Sequence, residues 1–143
     1  MFRGAPYATL SKDRIKTMFE LLKPVKNKRF LDIGSGDGRI VIKAAKFQLK
    51  SYGYEINPLL VLLSNYNIKR SGVKATIQLK DYWKEDFSKF DYVTVWGVPT
   101  MMKRLEKKLL KELKPGAKVA SNHLEFPTWK MTSKKNDVYL YIK

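Results

Sequence analysis

Glycines and carboxylates at short, regular intervals carry the first chemical signal in this chain. Phe30, Leu31 and Ile33 form an apolar run around Asp32, and Gly34, Gly36 and Gly38 follow at alternate positions. Glycine in such a turn adopts backbone angles closed to other residues and lets a ligand touch the main chain. The amphipathic run after it, Arg39 to Phe47, reads as a helix whose first N–H groups are unpaired. Strand, backbone-only turn and helix together describe a nucleotide-type ligand site at the carboxyl end of a parallel sheet. A dinucleotide fingerprint, G-x-G-x-x-G, would need glycine at position 39, where this chain has Arg39. The Lys-Ser/Thr pair of a phosphate-binding P-loop is also absent. Asp32 would repel a pyrophosphate but pairs with a cationic ligand.

Two further acids follow at strand ends. Glu55 closes a second strand (Ser51 to Ile56), about 20 residues past the loop, where a carboxylate binds a ribose diol in nucleotide-binding α/β folds. Asp81, followed by Tyr82 and Trp83, ends a third strand (Lys74 to Leu79). A carboxylate beside aromatics suits adenine, and ordinary loop capping is the rival role for Asp81. Asn57-Pro58 reads as N-cap and first turn of the next helix, which ends at Gly72. Its opening, Leu59 to Leu63, is apolar all round, so it is expected to pack on more than one side.

The remaining elements frame these groups. Ser11 is the expected N-cap of a helix from Lys12 whose apolar face is Ile15, Met18, Phe19 and Leu22; Pro24 stops it. Phe90 to Trp96 is a buried fourth strand that delivers Trp96-Gly97-Val98-Pro99 to the same sheet edge. Thr100 to Leu113 forms a helix with Met102, Leu105, Leu109 and Leu113 on one face and Arg104, Lys107, Lys108 and Lys111 on the other. Lys118 to Asn122 makes a fifth strand. Trp129 to Thr132 and Val138 to Ile142 read as a final strand pair around a Ser133–Asp137 turn, with Trp129 either a core plug or part of an acceptor wall. His123 and Glu125 are the acid–base candidates in that region.

Composition bounds the rest. A chain of 143 residues with 44% hydrophobic content forms one domain with a real core. No apolar run approaches a bilayer span. Zero cysteines exclude disulfides, thiolate zinc sites and cysteine nucleophiles, and one histidine cannot build a metal cluster, so no metal is expected. A reducing, cytoplasmic setting fits that usage. Lys+Arg 29 against Asp+Glu 13 gives a formal charge of +16. Such a field draws nucleic acid, acidic proteins or anionic lipid surfaces, and a solvated lysine-rich surface is the plain alternative.

The motif Asp32-Ile-Gly-Ser-Gly-Asp-Gly38 resembles the D-x-G-x-G-x-G of class I S-adenosylmethionine (SAM) methyltransferases, whose cofactor carries an ammonium and a sulfonium and no phosphate. The element order is similar throughout: glycine loop, acid-ended second strand, third strand with Asp, fourth strand, helix, fifth strand, antiparallel pair. Within that superfamily the chain resembles the small protein-lysine methyltransferases, which include broad-specificity archaeal enzymes and the mitochondrial enzymes acting on the ATP synthase c-subunit and adenine nucleotide translocase. The likeness runs through Ala5 to Thr9, Gly53 to Pro58, Asp81 to Lys84, Gly97 to Met102, Glu112 to Gly116, Phe126 to Trp129 and Val138 to Tyr141.

The resemblance implies an α/β Rossmann-like sheet, mostly parallel with an antiparallel C-terminal hairpin and helices on both faces. It would comprise an N-terminal lid and helix (1–24), a cofactor core (29–122) and a strand pair (123–143). Asp32, Gly34, Ser35, Gly36, Glu55, Asn57, Asp81 and Tyr82 would hold SAM (S-adenosyl-L-homocysteine as product), with Tyr7 and Thr9 closing over it. Amino-methylating nucleic-acid enzymes carry Asn/Asp-Pro-Pro-Tyr after the fourth strand, and pyrimidine C5 methylation needs a cysteine; both are missing here. These absences point away from a nucleobase; the acceptor that the resemblance implies is an exposed lysine of a protein, expected to enter a channel of Tyr7, Trp96, Pro99 and Trp129, with no general base assigned. An RNA or DNA methyltransferase, or a non-catalytic SAM- or nucleic-acid-binding module, are the alternatives.

Overall fold

A computed structural model describes residues 12–143. Among the described residues, seven strands form one sheet in the order β3-β2-β1-β4-β5-β7-β6. They are β1 (Arg29–Ile33), β2 (Lys50–Glu55), β3 (Thr76–Leu79), β4 (Tyr92–Val95), β5 (Lys118–Asn122), β6 (Ser133–Lys135) and β7 (Val138–Ile142). The first five are parallel; β7 runs antiparallel to β5 and β6 to β7. The α-helices that cover and connect them are α1 (Lys12–Leu22), α2 (Arg39–Lys46), α3 (Pro58–Ser71) and α4 (Met102–Glu112).

The strands' alternation divides the core in two. Phe30, Tyr92, Ala120 and Leu140 face one side, where Ile15, Met18, Phe19 and Leu22 of α1 cover them. Their chain neighbours Leu31, Val93, Val119 and Tyr141 face the other, under Met102, Leu105 and Leu109 of α4. Both helices bury the faces that their apolar spacing specifies. A smaller cluster, Val41, Ile68 and Ile77, sits beneath α2 and α3. Burying strands on both faces is what a parallel sheet requires, since helical crossovers must cover each side.

Two elements depart from the sequence expectation. Residues 129–132 are not a strand; the hairpin is Ser133–Lys135 with Val138–Ile142, turned by Asn136 and Asp137, both at positive φ (48° and 63°). Such a two-residue turn matches the natural strand twist and so fixes the register. In α3 only Ser64 and Ile68 are buried, whereas Leu59, Leu62 and Leu63 are exposed. Its apolar opening is therefore not packed on several sides.

The strand order also locates the crevice. The chain leaves β1 for β2 on one side and later returns to place β4 on the other. Ligands in open α/β sheets bind at that reversal, beyond the carboxyl ends of the strands. Asp32, the glycine loop and Trp96 all lie there.

Candidate cofactor and acceptor site

The glycine loop hangs from β2. Gly34 and Ser35 both donate their N–H to the Tyr54 carbonyl (2.9 and 3.1 Å), and Gly36 N–H reaches Glu55 Oε1 (2.8 Å). Gly34, Gly36 and Gly38 all hold positive φ. At Gly38 (φ 86°) a Cβ would also lie 2.8 Å from Ser64 Cβ, so α3 approaches as closely as glycine permits. Gly53 plays the same part on β2, where a Cβ would lie 2.6 Å from the Ser35 side chain. The Ser35 hydroxyl is consequently buried under the loop, with no hydrogen-bond partner among the described residues. The space above Gly34 is open.

α3 secures the loop from outside. Asn67 Nδ2 donates to the Asp37 carbonyl (2.9 Å), and Ser64 Oγ, whose shortest hydrogen bond is to the Leu60 carbonyl one turn back (2.6 Å), lies 3.2 Å from the Gly36 carbonyl. The Asp37 carbonyl thereby gains the donor that a loop carbonyl beneath a helix needs.

Asp32 is buried and accepts a hydrogen bond from Thr94 Oγ1 (2.8 Å). Burial pushes its carboxyl up from 3.8 to about 7; Thr94 opposes that shift, while the charges of Glu55 and Asp37 add to it. Glu55 is buried too, yet its carboxylate takes N–H bonds from Gly36, Ile56 and Asn57. Those bonds orient it, and Oε1, with one bond, keeps acceptor capacity. Asn57 caps α3 by accepting from Leu59 N–H (3.0 Å), as its position before Pro58 indicates. Ile56 beside it is 65% exposed, an apolar side chain at the crevice that no spacing in the sequence singles out.

Asp81 is exposed and caps a one-turn 3-10 helix through Trp83 N–H (3.0 Å). Its rival role is thus present, and that role uses one oxygen. Tyr82 is half-buried, with its hydroxyl 3.8 Å from Met101 Sδ. Desolvation raises its phenol above the usual range.

The residues expected to line an acceptor channel are placed less uniformly. Trp96 packs on the α1 face of the sheet, whereas Trp129 packs with Phe126 and Tyr141 on the α4 face, at ring distances of 5.6 and 5.1 Å. The two tryptophans do not share a cluster. Pro99 is exposed at the start of a short 3-10 turn. Tyr7 and Thr9, like the Ser11 cap, lie outside the described residues. His123 pairs with Asp137 (2.6 Å), which also takes Arg14 (3.0 Å), so this cluster ties α1 to the hairpin.

Two residues gained significance only from packing. Glu106 of α4 accepts from Thr128 N–H, Thr128 Oγ1 and Trp129 N–H (2.6–2.8 Å) and so fixes the segment carrying Trp129. Burial opposes its charge, but these donors outweigh it and hold the carboxyl below its usual range. Asn122, the last residue of β5, is fully buried, and neither of its amide atoms has a partner among the described residues. It lies one step beyond the Val95–Ser121 pair and alternates with Ala120, which places it beside Trp96 on the α1 face.

The chain's relatives agree with this geometry. The profile of the ANTKMT methyltransferase domain matches residues 32–133. The human lysine N-methyltransferase of the ATP synthase c-subunit is 42% identical over 126 residues, covering 87% of this chain and 54% of the human protein. The chain thus spans about half the length of the vertebrate relatives it matches. A protein-lysine N-methyltransferase of Saccharolobus islandicus is 35% identical and is aligned over 96% of this chain and 92% of its own. Among solved structures, an RNA methyltransferase from Salinibacter ruber, crystallised with S-adenosyl-L-homocysteine, superposes with a TM-score of 0.85 at 29% identity, covering 92% of this chain and 90% of that one. A loop motif, a strand order and relatives from vertebrates to archaea converge: this chain belongs to the ANTKMT methyltransferase domain family.

Proposed function

We propose that this protein binds S-adenosyl-L-methionine at the β1–β4 switch point and methylates lysine side chains of a protein. The observation that carries the reading is a pair of carboxylates of opposite character. Asp32 is buried with its carboxyl pushed up to about 7, and a cation beside it would favour the ionised form and offset the cost of burial. Glu55 is locked by three N–H groups with acceptor capacity left for a sugar hydroxyl. The surroundings fit the rest of the cofactor: open space over Gly34, exposed Ile56 for a base face, and Asp81 at the end of β3. When bound, the cofactor supplies an activated methyl group on a sulfonium.

The chain's own residues then have two tasks, alignment and amine deprotonation. Holding the reactants in line accounts for roughly 7–11 kcal/mol of barrier. A lysine ammonium begins near pKa ~10.4, and an apolar passage favours its neutral form. Trp96 and Pro99 supply apolar surface at the acceptor end, and the Asn122 amide, without a partner among the described residues, offers an oxygen to an N–H of the incoming amine. That bond aims the nitrogen lone pair; the displaced proton leaves to water.

The test is transfer of label from methyl-labelled cofactor to a cell lysate. Protease-sensitive, RNase-resistant label on lysine is the expected result. RNase-sensitive label would instead support RNA as acceptor, the substrate class named for the Salinibacter ruber relative and one that a +16 chain attracts.

A further inference from the structure

Helix α3 carries apolar residues on two faces. Its inward face packs Ile68 against Val41 and Ile77, sets Ser64 against Gly38 and hydrogen-bonds Asn67 to the Asp37 carbonyl. Its outward face carries Leu59, Leu62, Leu63 and Tyr66, the i, i+3, i+4, i+7 positions of an apolar stripe. Leu59 is 74% exposed, Leu62 67% and Tyr66 57%. An exposed apolar ridge of this kind marks an interaction surface.

The charges around the ridge select its partner. α3 contains no acidic residue, and Lys69 and Arg70 occupy its last turn. Arg70 falls on the same face as the stripe, with its guanidinium 5.8 Å from the centre of the Tyr66 ring. A second copy of the chain would set +16 against +16, which opposes self-association. Nucleic acid would use the cations but leave the leucines in water. A convex apolar ridge beside cations matches a planar surface that offers hydrocarbon and negative charge together. That is the pattern of helices that lie in the headgroup region of anionic membranes.

We propose that the outward face of α3 docks this protein on anionic lipid bilayers, with Leu59, Leu62 and Tyr66 entering the interface and Lys69 and Arg70 meeting the headgroups. The proposal is independent of the methyl-transfer reading, because lipid binding is measured without cofactor or acceptor.

The experiment is flotation of the purified full chain with vesicles of phosphatidylcholine alone or with about 30% phosphatidylglycerol, enough for a negative surface potential. Binding to the anionic vesicles and not to the neutral ones is expected. The double variant L59S/L62S should bind on the order of tenfold more weakly or worse, since two buried leucine contacts are lost. Both positions are solvent-exposed, so its thermal unfolding should match the wild type. K69Q/R70Q should weaken binding and flatten its salt dependence. Equal binding by the wild type and L59S/L62S would overturn the proposal, because charge alone would then explain attachment. So would no flotation at all, or sedimentation showing a wild-type dimer that L59S/L62S abolishes, which would make the ridge a contact between copies.

Discussion

Asp32 should make cofactor affinity depend on pH, and the size of the effect follows from its burial. In the ligand-free protein its carboxyl sits at about 7, because burial costs the anion its solvation and the charges of Glu55 and Asp37 add to the penalty, while Thr94 returns one hydrogen bond. A cationic ligand pairs with the ionised form only. Below about pH 7 the ionised fraction falls tenfold per pH unit, so affinity should fall by the same factor, about 1.4 kcal/mol per unit. Between pH 7, where about half of the carboxyl is ionised, and pH 5 the loss is roughly 50-fold. Over this range the cofactor's own α-amino group, near ~7.7–8.0 in free form, stays largely protonated and does not mask the slope. Calorimetric titration at pH 6 in buffers of different ionisation enthalpy should register close to one proton released per cofactor bound. Asp32→Asn should bind weakly at every pH, with no slope. The same residue sets a stability trend of definite sign. An unfolded aspartate loses its proton near 3.8, whereas the folded one keeps it to about 7, so between those values the native state holds the extra proton. Ligand-free stability should therefore decline as pH rises from about 4 to about 7, by at most roughly 1.4 kcal/mol per unit from this group, and Asp32→Asn should remove that contribution. Affinity that is flat from pH 5 to 7 in the wild type, or a tenfold-per-unit slope surviving in Asp32→Asn, would refute the reasoning.

Three further outcomes follow from the packing. Glu106→Ala leaves the donors of Thr128 and Trp129 without their acceptor and should cost about 2–4 kcal/mol in urea unfolding, with Glu106→Gln costing less. Gly38→Ala forces a side chain into positive φ and within 2.8 Å of Ser64 Cβ, so cofactor affinity should drop at least about tenfold as the loop and α3 separate, measured by calorimetry. Asn122→Ala should lower kcat with acceptor on the order of tenfold while leaving cofactor Kd unchanged, because the amide is assigned to the amine and not to the cofactor; a matching loss of cofactor affinity would remove it from that role.

What the sequence conveyed, and what it withheld, divides along the reach of each interaction. The glycine loop, the Asn57-Pro58 helix start and the apolar faces of α1 and α4 are local patterns, and each is present where its spacing places it. The strand Ser133–Lys135 carries no apolar alternation because it is an exposed edge, where lysines discourage further pairing, so periodicity favoured the neighbouring 129–132 segment instead. Glu106 and Asn122 read as an ordinary helix position and a strand terminus, since their partners, or the lack of them, arise between segments far apart in the chain. α3 is the most instructive case. Counting its leucines suggests burial on several sides, yet the inward face is set by distant segments: Val41 and Ile77 against Ile68, Gly38 against Ser64, and the Asp37 carbonyl on Asn67. A buried carbonyl left unpaired costs about as much as burying a leucine gains, and in the open a leucine is tolerated where such a carbonyl in the interior is not. Asn67 and the small Ser64 therefore share the inward face with Ile68, and Leu59, Leu62 and Leu63 stay exposed. The ridge is open because the side of α3 that meets the sheet is already filled by the glycine loop and the Val41–Ile77 cluster.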